Sequence, residues 1–525
     1  MQQPLRLVKQ EPYPDDEAVL PSGSVIDGRL QTADVDDIAD YVVVGSGAAG
    51  ATAAKVLAEA GWSVILLEEG PYVRTREFSV DVYPALKTIF RDMGANLATG
   101  KAPFPLIQGR CVGGSTTINS AIAWRAPEKV IARWTEDFGL AGSITDEKLA
   151  PHYDVLEKEL SVRPVDDKKA GNHNKIFGEA ALKLGFRASR IQRYDAGCEA
   201  TASCITGCRS AKKLSMNVSY VPRTLHAGGK IYASVRVLKI TQDHGRATGV
   251  EGVFKAAGGP KLYARARRGV IVAASAVQTP GVLARSGVKL PALGKHFQCH
   301  PGSSIGALFD RPIDMEFGAT QGFNSTAFVD SNRFKLEALS LPPEMLAVRL
   351  PGVGKEFMRK MMDYRYALNW AVVVRAENEG RVRSVLGREL VQFTPSPSDV
   401  ARMRRGFRTL SEMMFAAGAK EVWPTVHGLP VMKSADDLKL WDDATLDPRA
   451  YSMMASHLFG SCRMGPDPRD AVVGLDFQVH GLRGAYVVDS SIFPTNLGVN
   501  PQHTIMGVSH YAATHIAQYP LPARG

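Results

Sequence analysis

Residues 40–70 read DYVVVGSGAAGATAAKVLAEAGWSVILLEEG, and this stretch decides the fold. The β-branched run Tyr41–Val44 predicts a buried parallel strand. Gly45, Gly47 and Gly50 follow it as GxGxxG. In a dinucleotide-binding turn these glycines give a tight turn, let the backbone approach a pyrophosphate, and let a helix pack closely on a strand. The stretch therefore predicts an α/β nucleotide-binding unit.

The elements that follow the glycines support this prediction. The alanine-rich run Ala51–Ala60 predicts a helix whose N-terminus offers an anion site. A second strand, Ser63–Leu67, ends at Glu68. A carboxylate at this position accepts hydrogen bonds from ribose hydroxyls and repels a 2'-phosphate. FAD and NAD share the same ADP half, so the unit alone does not choose between them.

Composition limits the possible classes of protein. A chain of 525 residues suggests two or three domains, and 45% hydrophobic with 22% charged residues indicates a compact globular protein. The formal net charge is +10, but the basic residues are spread along the chain. The short clusters at 264–268 and 402–408 are typical of solvated faces, so we do not expect nucleic-acid binding.

The N-terminal sequence indicates no export. It contains no apolar signal-peptide core and no twin arginine. No segment approaches the ~18 uncharged apolar residues of a membrane span. We predict a cytoplasmic protein without a transmembrane segment, leave peripheral membrane contact open, and take residues 1–36 as a polar lead-in.

Residues 109–127, GRCVGGSTTINSAIAWRAP, form a second candidate site. Gly113 and Gly114 allow a backbone to lie against a flat ring or a diphosphate, while Ser115 and Asn119 supply hydrogen-bonding side chains. Taken alone, this segment is equally typical of a loop between packed elements.

Five separated blocks together resemble the glucose-methanol-choline (GMC) flavoprotein oxidoreductases, and most of all bacterial members related to long-chain-alcohol oxidases. The resemblance runs from about residue 38 to about residue 518. The blocks are the GxGxxG unit with Glu68, GGSTTIN, ASAVQTPGVLARSGV, HLFGSCRMG and VVDSSIFPTNLGVNPQHTI. In the third block we expect a helix with Pro280 near its first turn.

The resemblance implies an FAD cofactor and two structural parts. One is an α/β, Rossmann-like FAD-binding domain with a small antiparallel meander, predicted from residues 37–130, 215–300 and 455–525. The alternating pattern of residues 231–274 predicts that meander independently. The other is an α+β substrate domain with an antiparallel sheet, predicted from residues 301–454 together with a helical, cysteine-bearing insert at 131–214.

The resemblance also implies the residues that contact FAD. Ser46 and Gly47 are expected at the pyrophosphate, Glu68 at the adenosine ribose and Val237 at the adenine. The other expected contacts are Gly45, Gly50, Gly114, Ser115, Asn119, Ala121, Ile122, Asp489, Ser490 and Pro501.

Alcohol oxidation requires a proton acceptor near the substrate hydroxyl and a partner for its oxygen. His457 and Asn500 match the two catalytic positions of the family, although a lone histidine in an apolar segment is more often a core residue. The resemblance implies that His457 takes the hydroxyl proton while hydride passes to flavin N5. His503, one helical turn after Asn500, is expected to support the pair as a neighbouring polar residue. Cys462 is expected to be a small buried hydrophobic residue. Ser461 stands where many relatives have threonine.

Three cysteines, Cys198, Cys204 and Cys208, have the spacing C-x5-C-x3-C. A zinc site needs closer pairs and a fourth ligand, and a disulfide is unexpected without export. The spacing resembles that of a three-iron, four-sulfur cluster in flavin dehydrogenase subunits, so such a cluster is one alternative. Reduced structural cysteines are the other.

Segments rich in Met, Leu and Phe within 301–454 predict an apolar pocket. We therefore expect an FAD-dependent oxidation of a long-chain, aromatic or sterol-like alcohol to aldehyde or ketone, with oxygen or another electron acceptor. The alternatives are a lyase with structural FAD, a subunit of an iron-sulfur flavin dehydrogenase, a pyridine-nucleotide dehydrogenase and a nucleotide-binding scaffold without turnover.

Overall fold

The computed structural model describes residues 20–524, so residues 1–19 of the predicted lead-in lie outside the described residues. The strands are β1 Val25–Asp27, β2 Val35–Val44, β3 Val64–Leu67, β4 Leu97–Thr99, β5 Phe104–Pro105, β6 Val162–Pro164, β7 Ser189–Arg190, β8 Gln192–Tyr194, β9 Lys230–Ala233, β10 Val235–Asp243, β11 Arg246–Phe254, β12 Lys261–Val272, β13 Gln298–Cys299, β14 Gly302–Leu308, β15 Phe323–Ser325, β16 Phe334–Ala338, β17 Ala367–Val374, β18 Arg381–Val385, β19 Arg388–Gln392, β20 Glu421–Trp423, β21 Leu458–Phe459, β22 Gln478–Val479 and β23 Leu482–Val487.

The α-helices are α1 Ala48–Glu59, α2 Val82–Ile89, α3 Glu128–Asp137, α4 Asp146–Glu159, α5 Asn172–Lys183, α6 Tyr220–His226, α7 Ser275–Arg285, α8 Val329–Asn332, α9 Pro343–Ala347, α10 Gly354–Met362, α11 Pro397–Ala416 and α12 Gln502–Gln518. Within residues 20–524, no helix is long and apolar enough to cross a membrane.

A nine-stranded sheet forms the first part of the molecule, in the order β1-β9-β3-β2-β12-β11-β23-β22 with β10 paired to β11. Val42–Val44 pair in parallel with Ile65–Leu67 on one side and Val270–Val272 on the other. All these residues are buried, as expected for parallel strands covered on both faces. Strands β10, β11 and β12 pair antiparallel. The predicted Rossmann-like fold with a small antiparallel meander is confirmed.

This sheet begins earlier in the chain than predicted. Val25–Asp27 pair in parallel with Ile231–Ala233, although they belong to the segment predicted as a lead-in. Strand β2 likewise starts at Val35, because residues 35–39 pair with residues 262–266 of β12. The boundary predicted at residue 37 is therefore too late for the sheet, and the other domain boundaries stay predictions.

A six-stranded antiparallel sheet forms the second part, in the order β20-β14-β17-β16-β15-β7. Helix α11 packs closely on one face, where a Cβ on Gly406 would lie 2.4 Å from Cγ2 of Val372. Side chains alternate along a strand, so Ala371 and Val373 point to the opposite face. Register pairs them with Glu337 and Lys335 of β16. The face away from α11 thus carries two buried charged residues.

Helix α7 differs from its prediction because Pro280 lies in its middle. Proline has no amide hydrogen, so the carbonyl of Ala276, four residues earlier, receives no helical hydrogen bond. The hydroxyl of Ser461 donates to this carbonyl at 2.5 Å instead. This bond joins α7 to the segment that carries His457.

We expect Ser461→Ala to lower the free energy of unfolding by about 1–3 kcal/mol, because it leaves the buried Ala276 carbonyl without a donor. In a Pro280→Ala background the residue at 280 regains an amide that can reach this carbonyl, so the same change should cost less. Thermal unfolding of the four proteins of this cycle measures the coupling. Strictly additive effects would contradict the assignment.

Candidate active site

One cavity of about 1010 Å³ is lined by residues of both sheets. The glycine loop between β2 and α1 contributes Gly45 and Gly47, and the C-terminal part of the chain contributes His457 and Asn500. The nucleotide-binding and catalytic residues predicted from separate motifs thus meet in one space.

The glycines of the loop differ in what they do. Gly45 has a φ of +97°, and a Cβ there would lie 2.4 Å from the Ala273 carbonyl oxygen. A Cβ on Gly50 would lie 1.8 Å from the carbonyl oxygen of Gly45, so this glycine permits α1 to pack against β2. A Cβ on Gly47 would meet nothing within 4 Å. Gly47 caps α1 without a side chain, which leaves the first-turn amides of the helix free for an anion.

The Ser46 side chain does not line the cavity, and the place of Ser46 at the pyrophosphate stays a prediction. Its hydroxyl donates to Glu68 Oε2 at 2.7 Å and accepts from the amide of Gly113 at 3.0 Å. The other oxygen of Glu68 accepts from the amide of Gly70 at 2.8 Å. Burial raises the pKa of Glu68. Ser46 therefore connects the glycine loop to Glu68 and to the segment 109–127, which contains Gly113.

The remaining predicted cofactor residues separate into two groups. Ala121 does not line the cavity; its φ is +59° and its amide donates to Asn119 Oδ1 at 3.0 Å. Asn119 in turn donates from Nδ2 to Gln502 Oε1 at 2.5 Å. The predicted residues that do line the cavity here are Gly114, Ser115, Asn119, Ile122, Val237, Glu68, Asp489, Ser490 and Pro501.

His457 and Asn500, 43 residues apart in sequence, lie side by side. Asn500 Nδ2 is 3.4 Å from His457 Nε2. His457 Nδ1 is 3.1 Å from Nδ1 of His300, which sequence reasoning did not identify. Burial lowers the pKa of His457 to about 4, although Glu337 acts in the opposite direction. At neutral pH the imidazole is uncharged and can accept a proton.

A buried ion pair lies behind Asn500 and was also missed from the sequence. Lys335 is fully buried, donates to Asn500 Oδ1, and lies 2.5 Å from Glu337 Oε1. Glu337 lines the cavity and accepts from Gln321 Nε2 at 2.9 Å. In β16 the charged Lys335 and Glu337 alternate with apolar residues in the sequence FKLEA. This pattern shows that both side chains share one face of the strand, but such a face is normally exposed to solvent.

These contacts fix a set of proton positions. An ammonium group only donates, so Asn500 must turn its oxygen to Lys335 and its Nδ2 donor to His457. His457 Nε2 then carries the lone pair, and Nδ1–H donates to His300. His300 Nε2 has Asn496 Oδ1 at 3.2 Å and the Gly498 amide at 2.9 Å. Asn496 Oδ1 is an acceptor and the Gly498 amide is a donor, so these two neighbours do not determine whether Nε2 is protonated. The contact with His457 therefore determines the tautomer of His300.

His503 and Cys462 contribute packing. His503 Nδ1 is 3.0 Å from the Tyr194 hydroxyl, and its Nε2 is 3.2 Å from Glu157 Oε1. The ring also stacks on Tyr153, so His503 fixes α12 from the side away from the cavity. Cys462 is fully buried in the apolar core, where burial raises the pKa of its thiol.

The cysteine segment does not support the iron-sulfur prediction. Cys198, Cys204 and Cys208 line one small cavity, but among the described residues no group of three or more His, Cys, Asp or Glu side chains could hold a metal ion. Cys204 Sγ accepts from Arg193 Nη2 at 3.1 Å. Lys213, buried beside it, donates to the Cys204 carbonyl oxygen at 2.8 Å. Burial raises the pKa of Cys204, but the charges of Arg193 and Lys213 beside the thiol outweigh burial and lower this pKa.

The comparison with known proteins decides the family. Residues 39–302 match the N-terminal part of the GMC oxidoreductases, and residues 384–509 match their C-terminal part. The chain belongs to the GMC oxidoreductase family. The predicted family is therefore confirmed, and with it an FAD-dependent oxidoreductase that acts on CH–OH groups.

Individual GMC relatives extend over most of the chain. A GMC-type oxidoreductase of Mycobacterium tuberculosis is 35% identical over 90% of this chain and 74% of its own length. One from Sinorhizobium fredii is 31% identical over 90% and 93%. Long-chain-alcohol oxidase FAO4A of Arabidopsis thaliana is 26% identical over 90% and 67%. The relatives with that name are plant proteins, not the bacterial ones that we had expected.

Solved structures show the same GMC fold. Pyridoxine 4-oxidase from Mesorbium loti has a TM-score of 0.68 and 17% identity, covering 90% of this chain and 98% of that one. Formate oxidase from Aspergillus oryzae has a TM-score of 0.70 and 16% identity, covering 93% and 99%. The predicted architecture of an FAD-binding part and a substrate-binding part is confirmed.

The residues of this GMC chain fit FAD. The uncapped N-terminus of α1 and the open space over Gly47 suit a pyrophosphate. Glu68 and Val237 line the same cavity, as an adenosine site requires. Gly114 lies close to this turn, since a Cβ there would be 3.0 Å from the Cα of Gly47. A diphosphate could therefore lie against both glycine backbones at once.

Two glycine variants separate cofactor binding from folding. We expect Gly47→Ala to fold normally but to retain less FAD, because the new methyl group enters the open space of the cavity. Gly50→Ala should lower the unfolding temperature markedly, because its methyl group meets the Gly45 carbonyl. The measurements are flavin absorbance per protein and thermal unfolding. Equal loss of stability in both variants would contradict this division.

Proposed function

We propose that this GMC oxidoreductase oxidises an alcohol to an aldehyde or ketone, with His457 as proton acceptor and Asn500 as holder of the alcohol oxygen. The observation that carries the proposal is the pairing of His457 Nε2 and Asn500 Nδ2, 3.4 Å apart, in the cavity that also contains the glycine loop. FAD, when bound, supplies the acceptor for the hydride of the carbinol carbon.

The proton acceptor is His457 Nε2. The imidazole is uncharged at neutral pH, and the group of Asn500 that faces Nε2 is an N–H donor. Nε2 is therefore the nitrogen without a proton, and its lone pair can accept one. A substrate oxygen between Nε2 and Nδ2 would lose its proton to His457 and keep a hydrogen bond from Asn500. This is the arrangement that general-base catalysis needs.

Lys335 is a positioning residue in this proposal. It keeps the Asn500 oxygen turned away from the substrate, so that Nδ2 faces the oxygen on which negative charge develops. Its ammonium charge lies behind the amide in a buried site, where charges act strongly. The nearby carboxylate of Glu337 keeps the lysine compensated.

The substrate in this proposal has an apolar body. Leu339, Leu341 and Met345 line the cavity, and Met454 lines it near His457. The names of the plant relatives, long-chain-alcohol oxidases, agree with such a body. Met358 and Met362, which belonged to the predicted methionine-rich lining, instead lie 56% and 82% exposed on α10. The apolar wall is therefore shorter than the sequence indicated. Oxygen or another electron acceptor, and a cytoplasmic location, belong to the same proposal.

The decisive experiment is anaerobic reduction of the bound flavin by decanol. The wild-type flavin should bleach, whereas His457→Ala should keep its FAD and reduce the flavin about 10²–10⁴-fold more slowly, the usual contribution of a general base. A flavin that stays oxidised with every alcohol, while the protein cleaves a cyanohydrin, would favour a lyase instead.

The role of Lys335 is tested with Lys335→Met/Glu337→Gln, which removes both charges and leaves no uncompensated one. We expect a 10- to 100-fold loss in the rate of flavin reduction with unchanged FAD content, because Asn500 is no longer oriented. Lys360→Met is the matched control, since Lys360 is equally buried and ion-paired with Glu421. Equal losses in both proteins would show a general effect on folding.

The pH dependence follows from the low pKa of His457. The histidine must be neutral to accept a proton, so the rate of flavin reduction should rise through about pH 4 and be level from about pH 5 to neutrality. An unperturbed histidine would place this rise near pH 6.5. Glu337 raises the pKa of His457, so Glu337→Gln should move the rise to lower pH. A wild-type rise at pH 6.5 in stopped-flow measurements would contradict the assignment.

A further inference from the structure

Arg349, in the cavity wall, forms no ion pair with an acidic side chain of residues 20–524. Arg349 follows α9 and lines the cavity together with Leu341 and Met345. Its Nη1 donates to the carbonyl of Met345 at 3.2 Å, but its Nε is buried without a hydrogen-bond acceptor. Burial alone lowers the pKa of Arg349, so no carboxylate of the described chain compensates its charge.

Other arginines of the same cavity are compensated. Arg91 forms an ion pair with Glu69 at 2.7 Å, and Arg285 forms one with Glu389 at 2.6 Å. A guanidinium that is partly removed from water without an anion is costly. Arg349 has no such ion pair, in contrast to these two arginines, and its charge can bind an anionic ligand.

We propose that Arg349 binds an anionic group carried by the alcohol substrate, remote from its hydroxyl. Nη1 is engaged by Met345 and Nε is buried, so Nη2 is the nitrogen left for a ligand. Its N–H groups can donate to the oxygens of a carboxylate or phosphate.

Apolar lining residues indicate the rest of the substrate. Leu339, Leu341 and Met345 follow Glu337 and precede Arg349 in the chain, and all three line the cavity. The lining residues between these two charged residues in the chain are thus apolar. The substrate class is therefore an alcohol with an extended apolar body and an anion at its other end, such as an ω-hydroxy carboxylic acid. This inference rests on the proposed function.

A set of alcohols with equal chains tests the preference by anaerobic flavin reduction. The holoenzyme should reduce its flavin with ω-hydroxydecanoate or decanediol monophosphate at least about tenfold more efficiently than with decanol, and with ω-aminodecanol less efficiently still. The ratio of the two anions shows which one the site prefers. In Arg349→Gln, whose amide can still donate to Met345, the advantage of the anions should disappear while decanol changes little. No anion preference in the wild type, or an unchanged preference in the variant, overturns the proposal.

Binding of decanoate supplies a measurement that needs no turnover. Decanoate should perturb the flavin absorbance of the holoenzyme, and Arg349→Gln should weaken its binding about 10- to 100-fold, as expected for a charged hydrogen-bond pair. Arg359→Gln, which changes an exposed arginine of α10, is the matched control and should have no effect. Decanoate binding that does not depend on Arg349 overturns the site.

The two proposals fail in different ways. If decanol reduces the flavin in a His457-dependent reaction but anions have no advantage, only the anion site is wrong. If decanoate binds through Arg349 but no alcohol of the set reduces the flavin, the anion site stands and the oxidation of these alcohols is wrong.

Discussion

The site depends on a buried carboxylate, Glu68, whose two oxygens both accept hydrogen bonds from the protein. One oxygen binds the amide and hydroxyl of Ser46, and the other binds the amide of Gly70. Since the Ser46 hydroxyl also accepts from Gly113, one carboxylate connects the end of β3, the glycine loop and the second candidate loop. Removing a carboxylate from water is costly, and these charge-assisted hydrogen bonds offset that cost.

Asp489 does the same at the end of β23. Its carboxylate accepts from the amide of Ser275, the hydroxyl of Thr279 and the amide of Ser491. Both acids lie at the carboxyl ends of parallel strands, where ligand sites of α/β sheets form. The edge of the sheet is thus made rigid by internal hydrogen bonds. Lys335 and Glu337 belong to the second sheet, and they act on Asn500 and His457 without contacting these two acids.

Much of the fold could be predicted from the sequence because its signals are local. The buried strand, the three glycines and the acid at the end of the next strand obey spacing rules that hold within one unit. Pairing His457 with Asn500 needed the family resemblance, since nothing local connects them. Lys335 and Arg349 could not be predicted as part of the site. A charged residue in an alternating strand or after a short helix is normally solvated. Only the tertiary packing shows that Lys335 is buried and Arg349 partly buried.

Side-chain direction was the other limit. The motif places Ser46 in the glycine loop but does not specify where its hydroxyl points. The hydroxyl donates to Glu68, because a buried carboxylate is a strong hydrogen-bond acceptor. Ala121 was predicted as a cofactor contact from its position just after the GGSTTIN block. Its backbone is left-handed, and its amide donates to Asn119 Oδ1. Both residues stay predicted cofactor contacts. In both, the spacing of the motif indicates the segment, whereas hydrogen bonds set the orientation of the individual atoms.

The hydrogen bond between Ser461 and the Ala276 carbonyl restricts how this protein can change over evolutionary time. While residue 280 is proline, position 461 needs a hydroxyl, and threonine is the only other small residue that supplies one. If residue 280 first becomes a residue with an amide hydrogen, the helix satisfies its own carbonyl and position 461 is released. Substitutions at two sites far apart in sequence therefore have a preferred order. Position 461, in the segment that bears His457, can lose its hydroxyl without this cost only after the helix has lost its proline.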